Sequence, residues 1–163
     1  MNPYAFFKLI PILAVVVFLG NVFTGLFWMY QANKTRRLAI IHHTMKSIIL
    51  SDRYFTVPGV IVIVAGGFAA AIQSSMPLLR TGWIFWSIVL FSTSGIVFAW
   101  MLAPLQKKIK LLTAVKTEDE PGFDWAAYHK LYKAWDYWGL VAILTPLLAL
   151  VMMVLKWPVK SIF

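Results

Sequence analysis

The stretch that decides the fold is Leu9–Tyr30, which reads LIPILAVVVFLGNVFTGLFWMY and contains no Asp, Glu, Lys, Arg or His. Three further stretches also lack these five residue types, namely Tyr54–Leu79, Thr81–Gln106 and Tyr137–Leu155. A helix needs about 20 mostly apolar residues to cross the hydrocarbon core of a bilayer. The sequence therefore predicts an all-α integral membrane protein, a four-helix bundle with spans at about residues 5–32, 56–76, 82–104 and 135–157.

The composition favours a single transmembrane domain over residues 1–163. Hydrophobic residues make up 61% of the chain and the mean hydropathy is +0.77, whereas about half of the residues in a soluble domain are apolar. We expect four spans with short connections to use almost the whole length. The chain has no cysteine, which excludes disulfides, iron–sulfur clusters and thiolate metal sites.

The basic residues predict the orientation of the bundle. Eleven of the fifteen Lys and Arg residues lie in loops one and three, which connect spans one and two and spans three and four. Because Lys and Arg accumulate in cytoplasmic loops, both termini are expected on the outer side, which is the periplasm for a bacterial inner membrane protein. The net charge of +9 then reflects topology, and we expect no nucleic acid partner.

Amphipathic patterns occur in both basic loops. Loop one holds an apolar stripe at helical spacing, formed by Leu38, Ile41, Met45 and Ile48. This stripe predicts an amphipathic helix on the cytoplasmic membrane surface, broken at Ser51 and Asp52. In loop three, the lysine-rich segment Gln106–Lys116 predicts a second such helix, suited to anionic lipids.

Prolines and one acidic residue predict where the spans begin, end and bend. Pro58 is expected near the first position of span two, and Pro104 is expected to end span three. Pro146 lies inside span four and predicts a kink there. Asp124 is the expected N-cap of the short helix that leads into span four. The short loop Gln73–Thr81 predicts that spans two and three are antiparallel neighbours.

One polar stripe runs along span one. Asn21, Thr24, Gly25 and Trp28 follow i, i+3, i+4, i+7 spacing. Because the amide of Asn21 needs a hydrogen-bond partner in hydrocarbon, the stripe is expected to face the bundle. Two interpretations remain open: the stripe packs helices together, or it contacts a ligand.

The remaining candidates lie at the predicted cytoplasmic rim. His42 or His43 together with His129 could ligate haem, although histidines among lysines at a membrane face are more often simple surface residues. Asp52 could bond free amides at the start of span two, or pair with Arg53 or a lysine of the other loop. We expect Asp52 and Arg53 to organise this face by pairing across the loops. The chain contains no Ser–His–Asp set, paired catalytic carboxylates, H-E-x-x-H motif or phosphate-binding glycine loop, so we expect a non-catalytic protein without a metal site.

Four motifs carry a resemblance to a known family. They are Phe18–Trp28, Ser51–Gly59, Thr81–Ile84 and Ala103–Gln106. With them the chain resembles a bacterial family of small predicted integral membrane proteins of unknown function, which implies a four-helix inner-membrane protein. The layout is more distantly similar to HemJ-type protoporphyrinogen oxidases and CopD-like proteins, but span one lacks the histidine and span three the lysine of the HemJ type. The resemblance therefore implies no oxidase activity.

These observations favour a non-catalytic inner-membrane accessory or structural subunit of a larger complex. Its expected partners are the bilayer, anionic lipids, and other membrane subunits or further copies of itself. Two alternatives stay open. One is a redox protein that binds haem b through the cytoplasmic-side histidines or a quinone beside Asn21, and the other is a small transporter.

Overall fold

The computed structural model describes residues 3–73, 81–114 and 123–156, and within them the side chains of residues 9–69, 81–114 and 123–156. The regular structure in these residues is helical: α1 (Pro3–Thr35), α2 (Leu38–Ser51), α3 (Val57–Gln73), α4 (Gly82–Val97), α5 (Ala103–Leu112) and α6 (Trp125–Leu155). Within this described part of the chain, four helical segments are long and apolar enough to cross a membrane: Leu9–Thr35, Leu38–Ala69, Gly82–Leu112 and Trp125–Leu155. The predicted four-helix membrane architecture is confirmed.

Two of these segments contain a π-helical turn, in which one extra residue widens the backbone. The first turn, Asp52–Thr56, joins α2 to α3, and the second, Phe98–Leu102, joins α4 to α5. The amide of Val57 donates to the carbonyl of Asp52, and the amide of Ala103 donates to the carbonyl of Phe98. Both bonds reach five residues back, where an α-helix would reach four.

A proline follows each π-helical turn after a single intervening residue. Proline lacks an amide hydrogen, and its ring crowds the carbonyl four residues earlier, which is that of Tyr54 for Pro58 and that of Trp100 for Pro104. Because both carbonyls lie within the widened turns, the helices continue through the prolines. The structure thus corrects two expectations: Ser51 and Asp52 do not break the loop-one helix, and Pro104 does not end the helix of span three. Pro58 is the second residue of α3, as expected, but the helix is continuous with the preceding turn.

The four spans form two helix pairs. In the first pair α1 packs along α3, and in the second pair α4 packs along α6. Among the described residues, no Cα atom of α3 lies within 8 Å of one in α4 or α6. The expectation that spans two and three are close neighbours is therefore wrong for these residues. A short loop constrains only the ends it joins, and residues 74–80 of that loop lie outside the described part.

The best-packed part of the molecule is the basic end, which comprises residues 25–35 of α1, all of α2 and α5, and residues 125–139 of α6. Its Lys and Arg side chains are exposed except for half-buried Lys110. Five large side chains there are fully buried: Met29, Ile41, Met45, Ile109 and Tyr128. The loop-one stripe is buried as well, but against α1 and α5. Its apolar face is therefore protein-covered, which corrects the expected position on the membrane surface.

The turn from α1 to α2 explains why these helices fold back on each other. Arg36 adopts the left-handed conformation, with φ of 53°, which is uncommon for a residue with a side chain. The Thr35 hydroxyl donates to the carbonyl of Ala32 over 2.7 Å and accepts from the amide of Arg37 over 3.2 Å. These bonds satisfy backbone groups at the helix ends, and α2 then runs back along the bundle.

A serine hydroxyl connects the two spans of the second helix pair. Pro146 lies inside α6, which continues as one helix from Trp125 to Leu155. Because Pro146 has no amide hydrogen, the carbonyl of Ala142 loses its usual donor. The Ser94 hydroxyl of α4 donates to that carbonyl over 2.6 Å.

At the start of α6, Asp124 accepts from the amide of Ala127 over 2.9 Å, which confirms the predicted N-cap.

Candidate functional site: a carboxylate beside a cavity between the helix pairs

The first π-helical turn places a carboxylate inside the bundle. Asp52 is only 8% exposed and accepts three side-chain hydrogen bonds. Its Oδ1 accepts from Thr56 over 2.8 Å and from Asn21 over 3.1 Å, and its Oδ2 accepts from Gln106 over 2.9 Å. Asn21 Nδ2 also donates to the Thr56 hydroxyl over 2.9 Å. We call these four residues the polar cluster.

The polar cluster draws on three helical segments. Asn21 lies near the middle of the uncharged stretch of α1, Asp52 and Thr56 face inward from the π-helical turn, and Gln106 lies in α5. The Gln106–Asp52 bond therefore connects the first helix pair to the second. An ionisable side chain that is buried among membrane spans is costly and is often functional.

The polar cluster lines one side of a cavity of about 340 Å³ between the helix pairs, here called the polar chamber. Its other lining residues include Ser94, Gly95, Phe98 and Trp135 from the second helix pair. Ser94 is already bonded to Ala142, so the polar groups of the chamber are mainly those of the polar cluster, together with the Trp135 Nε1–H, which is buried and has no hydrogen-bond partner among the described residues. Cavities of roughly 300–1,000 Å³ with a few placed polar groups are typical of small-molecule sites.

A second cavity of about 380 Å³, the apolar chamber, adjoins the polar chamber. It is lined almost entirely by hydrocarbon and aromatic groups, with Trp83, Pro146 and Met153 among them. Four residues line both chambers, namely Phe18, Val64, Phe91 and Ser92. The rings of Phe18 and Phe91 come from opposite helix pairs and their centroids lie 6.2 Å apart. They form the waist at which the chambers meet.

The glycines show where the bundle is tight and where it is open. A Cβ on Gly66 would collide with the ring of Pro11, so α1 and α3 touch closely there. A Cβ on Gly67 or Gly95 would meet nothing within 4 Å, and these two glycines line the apolar and polar chambers respectively. The packing gap therefore lies between the helix pairs and not within them.

The structure divides the stripe predicted on α1. Asn21 belongs to the polar cluster, and Gly25 lines the polar chamber at a point where an added Cβ would lie 3.8 Å from Ile48. Thr24 and Trp28 are exposed, which corrects the expectation that all four face the bundle. The Thr24 hydroxyl donates to the carbonyl of Gly20 in its own helix over 2.6 Å. A threonine hydroxyl can donate to a backbone carbonyl of its own helix in this way, whereas an asparagine amide needs a hydrogen-bond partner on another segment.

The histidines lie away from the two chambers. His42 is half-buried in the basic end, with Nδ1 lying 3.1 Å from the carbonyl of Lys110 and 3.3 Å from the Thr113 hydroxyl. His43 and His129 are exposed, and His129 Nδ1 lies 2.7 Å from the carbonyl of Trp125. In the described part of the chain, no three His, Asp or Glu side chains form a cluster that could hold a metal.

The partners of Asp52 differ from those expected. Arg53 is exposed, and Asp52 is bonded to neutral side chains where we expected a cation of the loops. Asp52 does reach across the bundle, but to Gln106. The sequence contained one overlooked signal for Thr56, since it lies four residues after Asp52 on the same helix and so on the same face. No comparable signal marks Gln106, because its position depends on the continuation of α5 beyond Pro104.

Comparisons with known proteins agree with this architecture. Residues 5–157 match the model of a family described as predicted integral membrane protein, DUF2269. No curated protein and no solved structure matches the chain. The resemblance to a family of small membrane proteins of unknown function is thereby confirmed, and the layout similarity to HemJ-type and CopD-like proteins stays an expectation. Because the match covers most of the chain, this protein belongs to the DUF2269 family of predicted integral membrane proteins.

Proposed function

We propose that the protein binds an amphiphilic molecule taken from the bilayer, with its polar head in the polar chamber and its apolar body in the apolar chamber. The observation that carries this proposal is the junction of two chambers of opposite character at the Phe18–Phe91 waist. An amphiphile needs such a pair of environments, because its head requires hydrogen bonds and its body does not.

The route into the cavity lies between α3 and α4. Val64 and Phe68 of α3 and Ile88 of α4 line the chambers and are 41%, 53% and 39% exposed. The cavity is therefore open towards the side of the bundle, where lipid surrounds the spans. A bilayer-dissolved molecule could enter sideways without crossing the basic end.

Binding of this kind fits a non-catalytic accessory subunit, because a subunit that holds a lipid-like molecule can present it to a partner in a larger membrane complex. A quinone is one amphiphile of suitable shape, so the quinone-linked alternative is a special case of the proposal. The transporter alternative would use the same cavity. Haem ligation by His42, His43 or His129 has no such support, since none of them lines a chamber.

The orientation belongs to the proposal as well. Most of the exposed Lys and Arg side chains among the described residues lie at the basic end, which supports placing that end in the cytoplasm beside anionic lipids and both termini in the periplasm of a bacterial inner membrane. A phosphatase that is active only in the periplasm, fused after Phe163, should be active. An inactive phosphatase, with a cytoplasmic fluorescent reporter active at the same position, would reverse this orientation.

Filling the cavity provides the test of binding. Wild-type protein is purified in a mild neutral detergent, and the amphiphiles that remain bound are extracted and quantified by mass spectrometry. Gly95→Leu and Gly67→Leu each place a side chain in one chamber, and both should lower the bound amount severalfold. Gly20→Leu is the matched control, because Gly20 also has open space around it but lines neither chamber.

The bound amphiphiles of the wild type and the three variants decide whether the cavity binds a ligand. Loss of one molecular species in Gly95→Leu and Gly67→Leu, but not in Gly20→Leu, supports the proposal and identifies the ligand. An equal lipid content in all four proteins would contradict it. Co-purification of a partner protein in the same detergent extract tests the accessory role separately.

A further inference from the structure

We propose that the amphiphile carries a positive charge in its head group and that Asp52 is the counter-ion. This inference rests on the proposed function and adds to it the charge of the ligand. Its starting point is that Asp52 lines the polar chamber while its described partners, Asn21, Thr56 and Gln106, are all neutral.

The hydrogen bonds of Asp52 stabilise its charge only in part. Burial disfavours the ionised form of Asp52, whereas the three partners donate to the carboxylate and so favour that form. The described hydrogen bonds to Asp52 all come from neutral side chains, and its neighbour in sequence, Arg53, is exposed. A buried charge is ordinarily paired with an opposite charge, and here the side open to a partner is the cavity.

The aromatic lining of the polar chamber favours the same kind of head group. Phe18 from the first helix pair and Phe91, Phe98 and Trp135 from the second line it. The negative face of an aromatic ring attracts a cation, and this attraction grows when water is excluded. A carboxylate and several rings around one chamber therefore suit a lipophilic cation, such as an amphiphilic amine or a quaternary ammonium or phosphonium compound.

An anionic head group fits the polar chamber poorly. A phosphate or carboxylate would lie beside Asp52, and like charges repel strongly where the dielectric constant is low. The exposed Lys and Arg side chains of the basic end lie outside the chamber lining, so they do not compensate for Asp52 there. The lateral opening between α3 and α4 lets a lipophilic cation reach Asp52 without passing those basic side chains.

Two probes of matched size and opposite charge test this inference on the intact protein. Tetraphenylphosphonium and tetraphenylborate are similar in shape and differ mainly in sign. Their binding to the full-length protein in neutral-lipid nanodiscs is measured by equilibrium dialysis, with empty nanodiscs subtracted. The wild type should bind the cation about tenfold or more tightly than the anion, which corresponds to roughly 1.4 kcal/mol. Equal binding, or tighter binding of the anion, would overturn the inference without any variant.

Variants then assign the preference to Asp52. Asp52→Asn keeps a hydrogen-bonding side chain and removes the charge, so it should lower cation affinity about tenfold and leave anion affinity unchanged or raised. Asp136→Asn is the matched control, because Asp136 lies at the same end of the bundle but lines neither chamber. Undiminished cation binding by a folded Asp52→Asn protein would refute the role of Asp52.

Failure of this inference can be distinguished from failure of the proposed function. If a neutral or anionic amphiphile is lost from Gly95→Leu and the wild type shows no cation preference, the binding proposal stands and the assigned charge is wrong. If the lipid content is the same in Gly95→Leu and Gly20→Leu, and neither probe binds above empty nanodiscs, both proposals are wrong.

Discussion

The basic end and the spans of this protein are packed in different ways. At the basic end, helices from both pairs share one core in which Met29, Ile41, Met45, Ile109 and Tyr128 are fully buried. In the spans, each helix packs closely on its partner, but the two pairs are separated by chambers of about 340 and 380 Å³. The two helix pairs are therefore joined through a shared core at the basic end and separated by the chambers in the described part of the spans.

The difference follows from what drives packing in each place. Lipid tails are as apolar as the side chains they contact, so no hydrophobic force closes a gap between membrane helices. Specific contacts hold each pair together, such as the Ser94–Ala142 hydrogen bond and the contact of Gly66 with Pro11. A cavity in the spans can persist because its walls are stabilised separately and joined at the basic end.

The largest expected effect is a loss of stability when the shared core is truncated. Ile41→Ala removes a fully buried side chain and should lower the free energy of unfolding by about 2–5 kcal/mol. Ile88→Ala removes the same atoms from a 39% exposed residue of the apolar chamber and should cost less than about 1 kcal/mol. Unfolding titrations in detergent measure both, and equal losses would show that the two regions are packed alike.

A smaller loss of stability is expected at the polar cluster, which lies between the basic end and the spans. Asp52→Ala leaves the donors of Asn21, Thr56 and Gln106 without their acceptor, which should lower the free energy of unfolding by about 1–3 kcal/mol. Arg53→Ala is the neighbouring control and should change the free energy of unfolding by less than about 0.5 kcal/mol, because Arg53 is exposed. A melting temperature unchanged in Asp52→Ala, or lowered equally in Arg53→Ala, would argue against a structural role for the polar cluster.

The smallest expected effect concerns the second helix pair alone. Ser94→Ala removes the donor to the Ala142 carbonyl and should cost about 1 kcal/mol. In a Pro146→Ala background the new amide of residue 146 can bond to that carbonyl, so Ser94→Ala should cost much less. A double-mutant cycle on unfolding free energies measures this coupling. Identical costs in both backgrounds would show that Ser94 does not compensate for the proline.

The four spans could be predicted from sequence because uncharged stretches of 19 or more residues have few other interpretations. The buried face of α2 was also predictable, since Leu38, Ile41, Met45 and Ile48 keep helical spacing, although that pattern does not reveal whether lipid or protein covers it. The need of Asn21 for a partner inside the bundle followed from its amide.

The polar cluster and the cavity could not be predicted in the same way. Asp52 and Gln106 meet because both helices continue through prolines after a π-helical turn, whereas the general preferences of proline suggest a helix boundary at each site. Whether Gly66 or Gly67 faces a neighbouring helix depends on the rotation of α3, and adjacent glycines look alike in sequence. The separation of the helix pairs is a property of packing across the bundle, which no local pattern reports.

The most direct test of the central claim, that two helix pairs flank an open cavity, uses pairs of introduced cysteines in a chain that has none. Phe18→Cys with Gly59→Cys should form a disulfide readily under mild oxidation, because a Cβ on Gly59 lies 3.4 Å from that of Phe18, close to the spacing a disulfide needs. Gly67→Cys with Ile88→Cys should remain reduced, since α3 and α4 keep their Cα atoms more than 8 Å apart in the described residues. Rapid cross-linking of Gly67→Cys with Ile88→Cys, together with failure of the first pair, would contradict this account.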